Sequence, residues 1–205
     1  RHREFSPASA GEAYAFIDLL EQPVAFWNNA LVEEGADRRR LRSMEDPVGN
    51  ALLSLPDPDH PGVWSARYRE RLEQAEAMME LHDTIASRIR SVQSGAIRNG
   101  YRLEVYDMVN RMTGYTSALL LALKAYDEAD GGAAKTEALD RVAKLVQEFP
   151  QLRSRLEQVY GQTRVLDKPE DYILDQDHHH HLANQTRSFD WQFTAELLFL
   201  EKLSM

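Results

Sequence analysis

The chain has 205 residues, 43% of them apolar, which is enough to bury a core as one domain and sets it apart from disordered sequences. Its 33 acidic against 24 basic residues give a net charge of -9, which opposes a polyanionic partner, because nucleic-acid binders cluster Lys and Arg to neutralise phosphates. There is no cysteine, so disulfides, thiolate zinc sites and cysteine nucleophiles are excluded.

The helical period runs through almost the whole chain, and no window alternates apolar and polar residues as a half-buried strand would. This predicts an all-α fold. Ser6-Pro7 has the form of an N-cap followed by proline at the first helical position, and Ser9 with Glu12 offers a capping box instead. Ala13, Phe16, Ile17 and Leu20 share one face of the first helix, which Pro23 ends or kinks by removing a backbone donor. Val24 to Leu31 follows as a second segment with Phe26 and Trp27. Arg38, Arg39, Arg40 and Arg42 come just after Glu33, Glu34 and Asp37, and read as a solvated charged face.

Pro56, Pro58 and Pro61 make the stretch from Gly49 to Gly62 a rigid connector, since no regular element tolerates such a run. Beyond it Trp64, Tyr68, Leu72, Ala75, Met79, His82, Ala86 and Ile89 follow spacings of three and four, the seam of a long bundle helix. Val105, Val109, Met112, Thr116, Leu119, Leu123 and Tyr126 repeat the rhythm. Each helix reaches about 45 Å at roughly 1.5 Å per residue. Asn99-Gly100 marks the turn that makes them an antiparallel pair.

Gly131-Gly132 then breaks the chain. Ala138, Val142, Leu145 and Val146 form a shorter stripe, and Leu152, Leu156 and Val159 another after Pro150. From Gln162 to His181 the pattern is irregular for longer than ordinary connections run, and such loops are usually functional or packed on something. The last helix restarts near Ser188, with Phe189, Phe193, Leu197 and Leu200 on one face and Trp191, Leu198 and Phe199 on another. The expected architecture is a bundle of long antiparallel helices, with a Pro-rich connector and a long His-rich loop before the C-terminal helix. Residues 1–205 are expected to form a single helical domain. The start at Arg1 is read as the mark of a larger parent chain, of which this is the C-terminal piece. No apolar run approaches the roughly 18 residues of a membrane span, so no membrane partner is expected.

The densest set of chemistry-bearing residues is DQDHHHHLANQTRSFDWQF, residues 175–193. Asp175, His178 and His180 carry the right atoms for a divalent metal, because alternate histidines on an extended chain point the same way. A third strong ligand is not defined by the spacing, and nothing matches HExxH. A plainer reading has Asp177, Asn184 and Ser188 capping the chain while the histidines bond nearby carbonyls. In a third, His179, His181, Asn184, Gln185, Arg187 and Trp191 offer directional hydrogen bonds and an aromatic platform to a neighbouring domain or a carbohydrate.

Elsewhere the polar residues read as structural. Glu104, Asp107 and Arg111 share one side of a helix, with Asp107 and Arg111 as an i, i+4 pair. His82 lies on an apolar stripe, where a hydrogen-bonded core histidine is the commoner outcome. Asp127-Glu128 are neighbours whose side chains point about 100° apart on a helix, which disfavours paired acid and base work. GxSxG, P-loop and GxGxxG motifs are absent, as are the paired ExxH motifs of a di-metal bundle.

The stretches LPDPDHPGVWSARYRERL, IRNGYRLEVY, LLLALKAYDEAD and VYGQTRVLDKPEDYILDQDHHHHLANQTRSFDWQFTAELLFLEKL together resemble the helical C-terminal region of bacterial family 20 glycoside hydrolases, the β-N-acetylhexosaminidase type. The likeness runs from about Leu55 to Leu203 and is densest in the last forty residues. The resemblance implies a secreted or periplasmic parent enzyme with a catalytic (β/α)₈ barrel upstream, which would be this segment's partner. In that family the substrate's acetamido group attacks the anomeric carbon while an acidic residue protonates the leaving oxygen. The family's Asp-Glu pair sits in a His, Gly, Gly, Asp, Glu setting that Asp127-Glu128 lacks, so its catalytic roles are not carried over. The segment is expected to be inactive alone and to need no cofactor. The alternative is an independent helical binding or oligomerisation module, with a divalent metal at the His-rich loop.

Overall fold

The computed structural model describes residues 5–6, 10–36, 51–162 and 193–204. Among the described residues the regular structure is helical: α1 (Ala10–Trp27), α2 (Val63–Arg67), α3 (Arg69–Gly95), α4 (Gly100–Asp127), α5 (Gly132–Gly161) and α6 (Thr194–Ser204). The all-α expectation holds. The chain groups into two compact units, Arg1–Ala30 with Leu55–Val159, and Leu31–Ser54 with Tyr160–Met205.

In the first unit α1, α3 and α4 pack on one another. Phe16 and Leu20 of α1 meet Ile85, Ile89 and Val92 of α3 and Leu103 of α4 in one buried cluster, and Phe5 joins it. The Phe16 and Tyr106 rings meet edge to face at 5.4 Å. Each such side chain contributes roughly 1.5–3 kcal/mol by leaving water. The i, i+3, i+4 spacing of these residues is what turns them to a common side.

The pair α3 and α4 is antiparallel, as expected: mid-helix His82 meets Asn110, while Glu76, nearer the start of α3, meets Lys124 near the end of α4. The turn is made at Asn99, which takes φ 54° and ψ 28°, a left-handed conformation that asparagine tolerates better than most residues. The seam was anticipated only in part. Val105, Val109 and Tyr126 are half-buried, whereas every residue from Met112 to Ser117 is buried. A helix closed in on all sides shows no single stripe, because its apolar residues spread around the axis. The hydroxyls this buries are satisfied within the helix: Thr113 Oγ1 donates to the Asn110 carbonyl and Ser117 Oγ to that of Thr113.

Two prolines do less than the sequence suggested. α1 continues through Pro23 to Trp27, so Val24 to Trp27 are not a separate segment, and α5 runs unbroken through Pro150. A proline inside a helix forfeits one backbone bond and crowds the carbonyl four residues earlier, at a cost of about 3 kcal/mol. Burial around each offsets that: Phe16 and Leu20 precede Pro23, itself buried, and Phe149, Leu156 and Val159 surround Pro150. The seam from Trp64 onward is instead interrupted at Tyr68, between α2 and α3, although Tyr68 N–H still bonds the Trp64 carbonyl at 3.1 Å.

In the second unit Val32 and Leu52 form an antiparallel bridge, with Glu33 N–H on the Ala51 carbonyl at 2.8 Å and Leu53 N–H on that of Leu31 at 3.0 Å. Lys202 of α6 donates to the Leu53 carbonyl at 2.9 Å. Phe193, just before α6, and Phe199 and Leu200 within it are buried, while Leu197 and Leu198 are half-buried, so the two apolar faces read for this helix are covered in part. No helix among the described residues is long and apolar enough to cross a membrane.

Candidate functional site

The best-defined joint of the first unit lies where the Pro-rich connector delivers α2 against the end of α4. Asp57 opens it: its Oδ1 accepts the Asp59 N–H at 2.9 Å and its Oδ2 the His60 Nδ1 at 2.8 Å, a local clasp of the kind aspartate makes in turns. These bonds, the Asp59 N–H first and His60 second, hold the Asp57 carboxyl below the usual carboxylate range. Gly62 then takes φ 79°, a left-handed conformation that a side chain would strain. The reversal aims the Gly62 N–H at the Asp127 carbonyl, 2.9 Å away, and the Ser65 N–H at Asp127 Oδ2, 2.7 Å away.

Asp127 is only 2% exposed, and its second oxygen, Oδ1, has no hydrogen-bond partner; nor has the buried Ser65 hydroxyl. A buried carboxylate is tolerable when it is hydrogen-bonded and sits by helix N–H groups, which here belong to the first turn of α2. Its engagement with backbone agrees with reading Asp127 as structural rather than as half of a catalytic pair. Glu128 is exposed.

Beside this joint a cleft of about 220 Å³ opens between α2, the start of α3 and the end of α4, bordered by Gly62, Ser65, Arg69, Glu73, Lys124 and Glu128. Lys124 Nζ donates to Glu76 Oε1 at 2.7 Å. That bond foremost, with the charges of Glu128, Glu76 and Glu73, outweighs partial burial and raises the Lys124 pKa above the ordinary lysine value.

His82 is hydrogen-bonded as expected, though half-buried at the edge of the core rather than within it. Its Nδ1 donates to the Asn110 carbonyl and the Asn110 side-chain amide donates to the His82 carbonyl, each at 3.0 Å. The ring fits because α4 has glycine at position 114, where a methyl group would lie 2.8 and 2.9 Å from its Cε1 and Cγ. Asp107 and Arg111 form the expected exposed pair at 2.7 Å, whereas Glu104 turns to Arg155 of α5 at 3.2 Å.

The sequence-predicted site falls elsewhere. Asp175, His178, His179, His180, His181, Asn184, Gln185, Arg187 and Trp191 lie outside the described residues, as do Arg38, Arg39, Arg40 and Arg42. Among the described residues no three His, Asp or Glu side chains gather as a metal site. The cleft was missed because its residues come from segments more than fifty positions apart; the one local signal was the glycine after Asp59-His60-Pro61, a turn sequence that could only reverse the chain. Comparison of the chain with known protein families, with curated proteins and with solved structures finds no match.

Proposed function

We propose that this chain is an accessory helical domain of a glycoside hydrolase acting on N-acetylhexosamine-containing glycans, supporting a catalytic barrel upstream in the same protein. The observation that carries the reading is the set of long stretches resembling the C-terminal region of family 20 enzymes. Two of them, LPDPDHPGVWSARYRERL and LLLALKAYDEAD, meet through the Gly62 and Ser65 bonds to Asp127. Stretches that share a joint are expected to persist together, and this supports treating them as one pattern. The chemistry belongs to the barrel, and the helices provide a rigid flank. His179, His181, Asn184, Gln185, Arg187 and Trp191 are the side chains assigned to contact with the barrel or the glycan. A periplasmic or secreted parent goes with the same reading.

The test is to read the coding sequence upstream of Arg1 and then to assay the parent, with and without this region, on a chromogenic N-acetylglucosaminide. A barrel pattern with a His-Gly-Gly-Asp-Glu stretch is expected upstream, with hydrolysis by the parent, none by this chain alone, and a less active or less stable parent when the region is removed. An upstream sequence with no barrel would sink the proposal and leave an independent helical binding or oligomerisation module in its place.

A further inference from the structure

Of the chain's asparagines only Asn99 is followed by glycine. The pair stands where α3 hands over to α4: Asn99 takes φ 54° and ψ 28°, and Gly100 is the first residue of α4. The Asn99 side chain makes no cap hydrogen bond to the helix, and the Gly100 N–H, at the first helical position, has no acceptor within α4. Gly100 is exposed, its φ is not left-handed, and a methyl group on it would meet no atom within 4 Å. The turn therefore does not require glycine there, and a helix would favour alanine. What the glycine does is leave a backbone nitrogen unshielded beside a carboxamide.

We propose that Asn99-Gly100 is a site of spontaneous backbone modification, closed while the turn between α3 and α4 is folded and reactive when it opens. The Gly100 nitrogen gives its proton to base and attacks Asn99 Cγ; the N–Cγ bond forms, the Cγ–Nδ2 bond breaks and ammonia leaves. Water then opens the cyclic imide at either carbonyl, giving aspartate or isoaspartate. Ring closure needs the Gly100 nitrogen on the same side of the Cα–C bond as the Asn99 Cβ. At ψ 28° in an L-residue it lies nearly opposite Cβ, so the folded turn blocks attack. The turn is held by the Arg102 N–H on the Asn99 carbonyl at 3.0 Å and the Ile97 N–H on the Phe5 carbonyl at 3.2 Å. Leu103, buried in one cluster with Phe5 and Val92, anchors it from below. The two products differ in consequence. Aspartate tolerates a left-handed backbone and places negative charge at the N-terminus of α4, which the helix dipole favours. Isoaspartate adds a carbon to the main chain and shifts Leu103 against its core partners. The inference does not depend on the accessory-domain reading.

The experiment incubates the whole chain at one mildly alkaline pH, in native buffer and in guanidinium chloride, and follows each asparagine by peptide mapping with mass spectrometry. In denaturant Asn99 is expected to convert before the other asparagines. In native buffer it should convert at least about tenfold more slowly, because ring closure then waits on local opening. Gly100→Ala should slow the conversion in denaturant severalfold without lowering the melting temperature, since the fold has room for the methyl group. Protein carrying isoaspartate should melt below Asn99→Asp. Equal rates in buffer and denaturant, another asparagine converting faster in denaturant, an undiminished rate in Gly100→Ala, or an isoaspartate form as stable as Asn99→Asp would overturn the proposal.

Discussion

The Tyr115 hydroxyl of α4 donates to the Leu145 carbonyl of α5 at 3.0 Å, one residue before the carbonyl that Pro150 leaves without its helical donor. The Tyr115 ring also lies 5.2 Å from that of Phe149, the residue preceding the proline. A single side chain thus holds the stretch of α5 where the backbone ladder is weakest. Tyr115→Phe keeps the ring contact and removes the bond, and should cost about 0.5–1.5 kcal/mol in urea unfolding. In a Pro150→Ala background, where the ladder is complete, the same change should cost less. Equal losses in the two backgrounds would show that the bond and the proline are independent.

Gly114 and His82 are related by space. Alanine in a helix is normally better than glycine by about 1 kcal/mol. Here the added methyl would press on the His82 ring, so Gly114→Ala should instead destabilise by about 1–3 kcal/mol. His82→Ala opens the room, and the double variant should be more stable than the sum of the two single losses predicts. A stabilised Gly114→Ala protein would mean that the imidazole moves aside freely.

Asp127 gives a contrast between shape and charge. Asp127→Ala leaves the Ser65 N–H without its acceptor in a buried place, for an expected loss of about 1–3 kcal/mol. Asp127→Asn keeps an oxygen acceptor at the same position and should cost less than the alanine change. If asparagine proved the worse of the two, the negative charge itself would be what the first turn of α2 requires.

These relationships separate what the residues announce from what they conceal. Helix positions follow from periodicity because burying one face is a local geometric requirement, and the turns at Asn99 and Gly131 follow from residues that tolerate left-handed backbone. The prolines misled because a local penalty of a few kcal/mol competes with tertiary burial that no local window contains. The closure of α4 over Met112 to Ser117 was hidden for a similar reason: Thr113, Thr116 and Ser117 look polar, yet their hydroxyls find acceptors within the helix, and the Asn110 amide donates to the His82 carbonyl although its Oδ1 has no partner. The cleft beside Asp127 joins residues distant in sequence, so it has no motif. Four histidines in a row, by contrast, are conspicuous in sequence without fixing any geometry.

Two ionisable groups set opposite pH responses. Asp57 has a lowered pKa in the folded protein, so its clasp supports the connector at neutral pH and loses that contribution as pH falls through the folded pKa. The Lys124 pKa is raised, so its contribution is present at neutral pH and is lost as pH rises through the folded value. NMR titration should place the Asp57 midpoint below that of an unstructured aspartate and shift it upward in His60→Ala. Glu76→Gln should lower the Lys124 midpoint. Unmoved midpoints in these variants would mean that the bonds are too exposed to matter in solution.

Metal removal distinguishes the readings of residues 175–191. If Asp175, His178 and His180 hold a divalent ion, binding to the folded state alone stabilises it by an amount that grows with the ratio of free metal to dissociation constant, about 2.7 kcal/mol at a hundredfold excess. A chelator would then lower the melting temperature, and His178→Ala would abolish the difference. If His179, His181 and Trp191 instead meet a neighbouring domain or a glycan, the chelator changes nothing and the untagged chain carries no stoichiometric metal. We expect the second outcome, because the alternate histidines supply only two ligands and the spacing does not orient Asp175 or any other residue as the third. Stoichiometric zinc with chelator-sensitive melting would reverse that expectation and favour an independent metal-binding module over the accessory-domain reading.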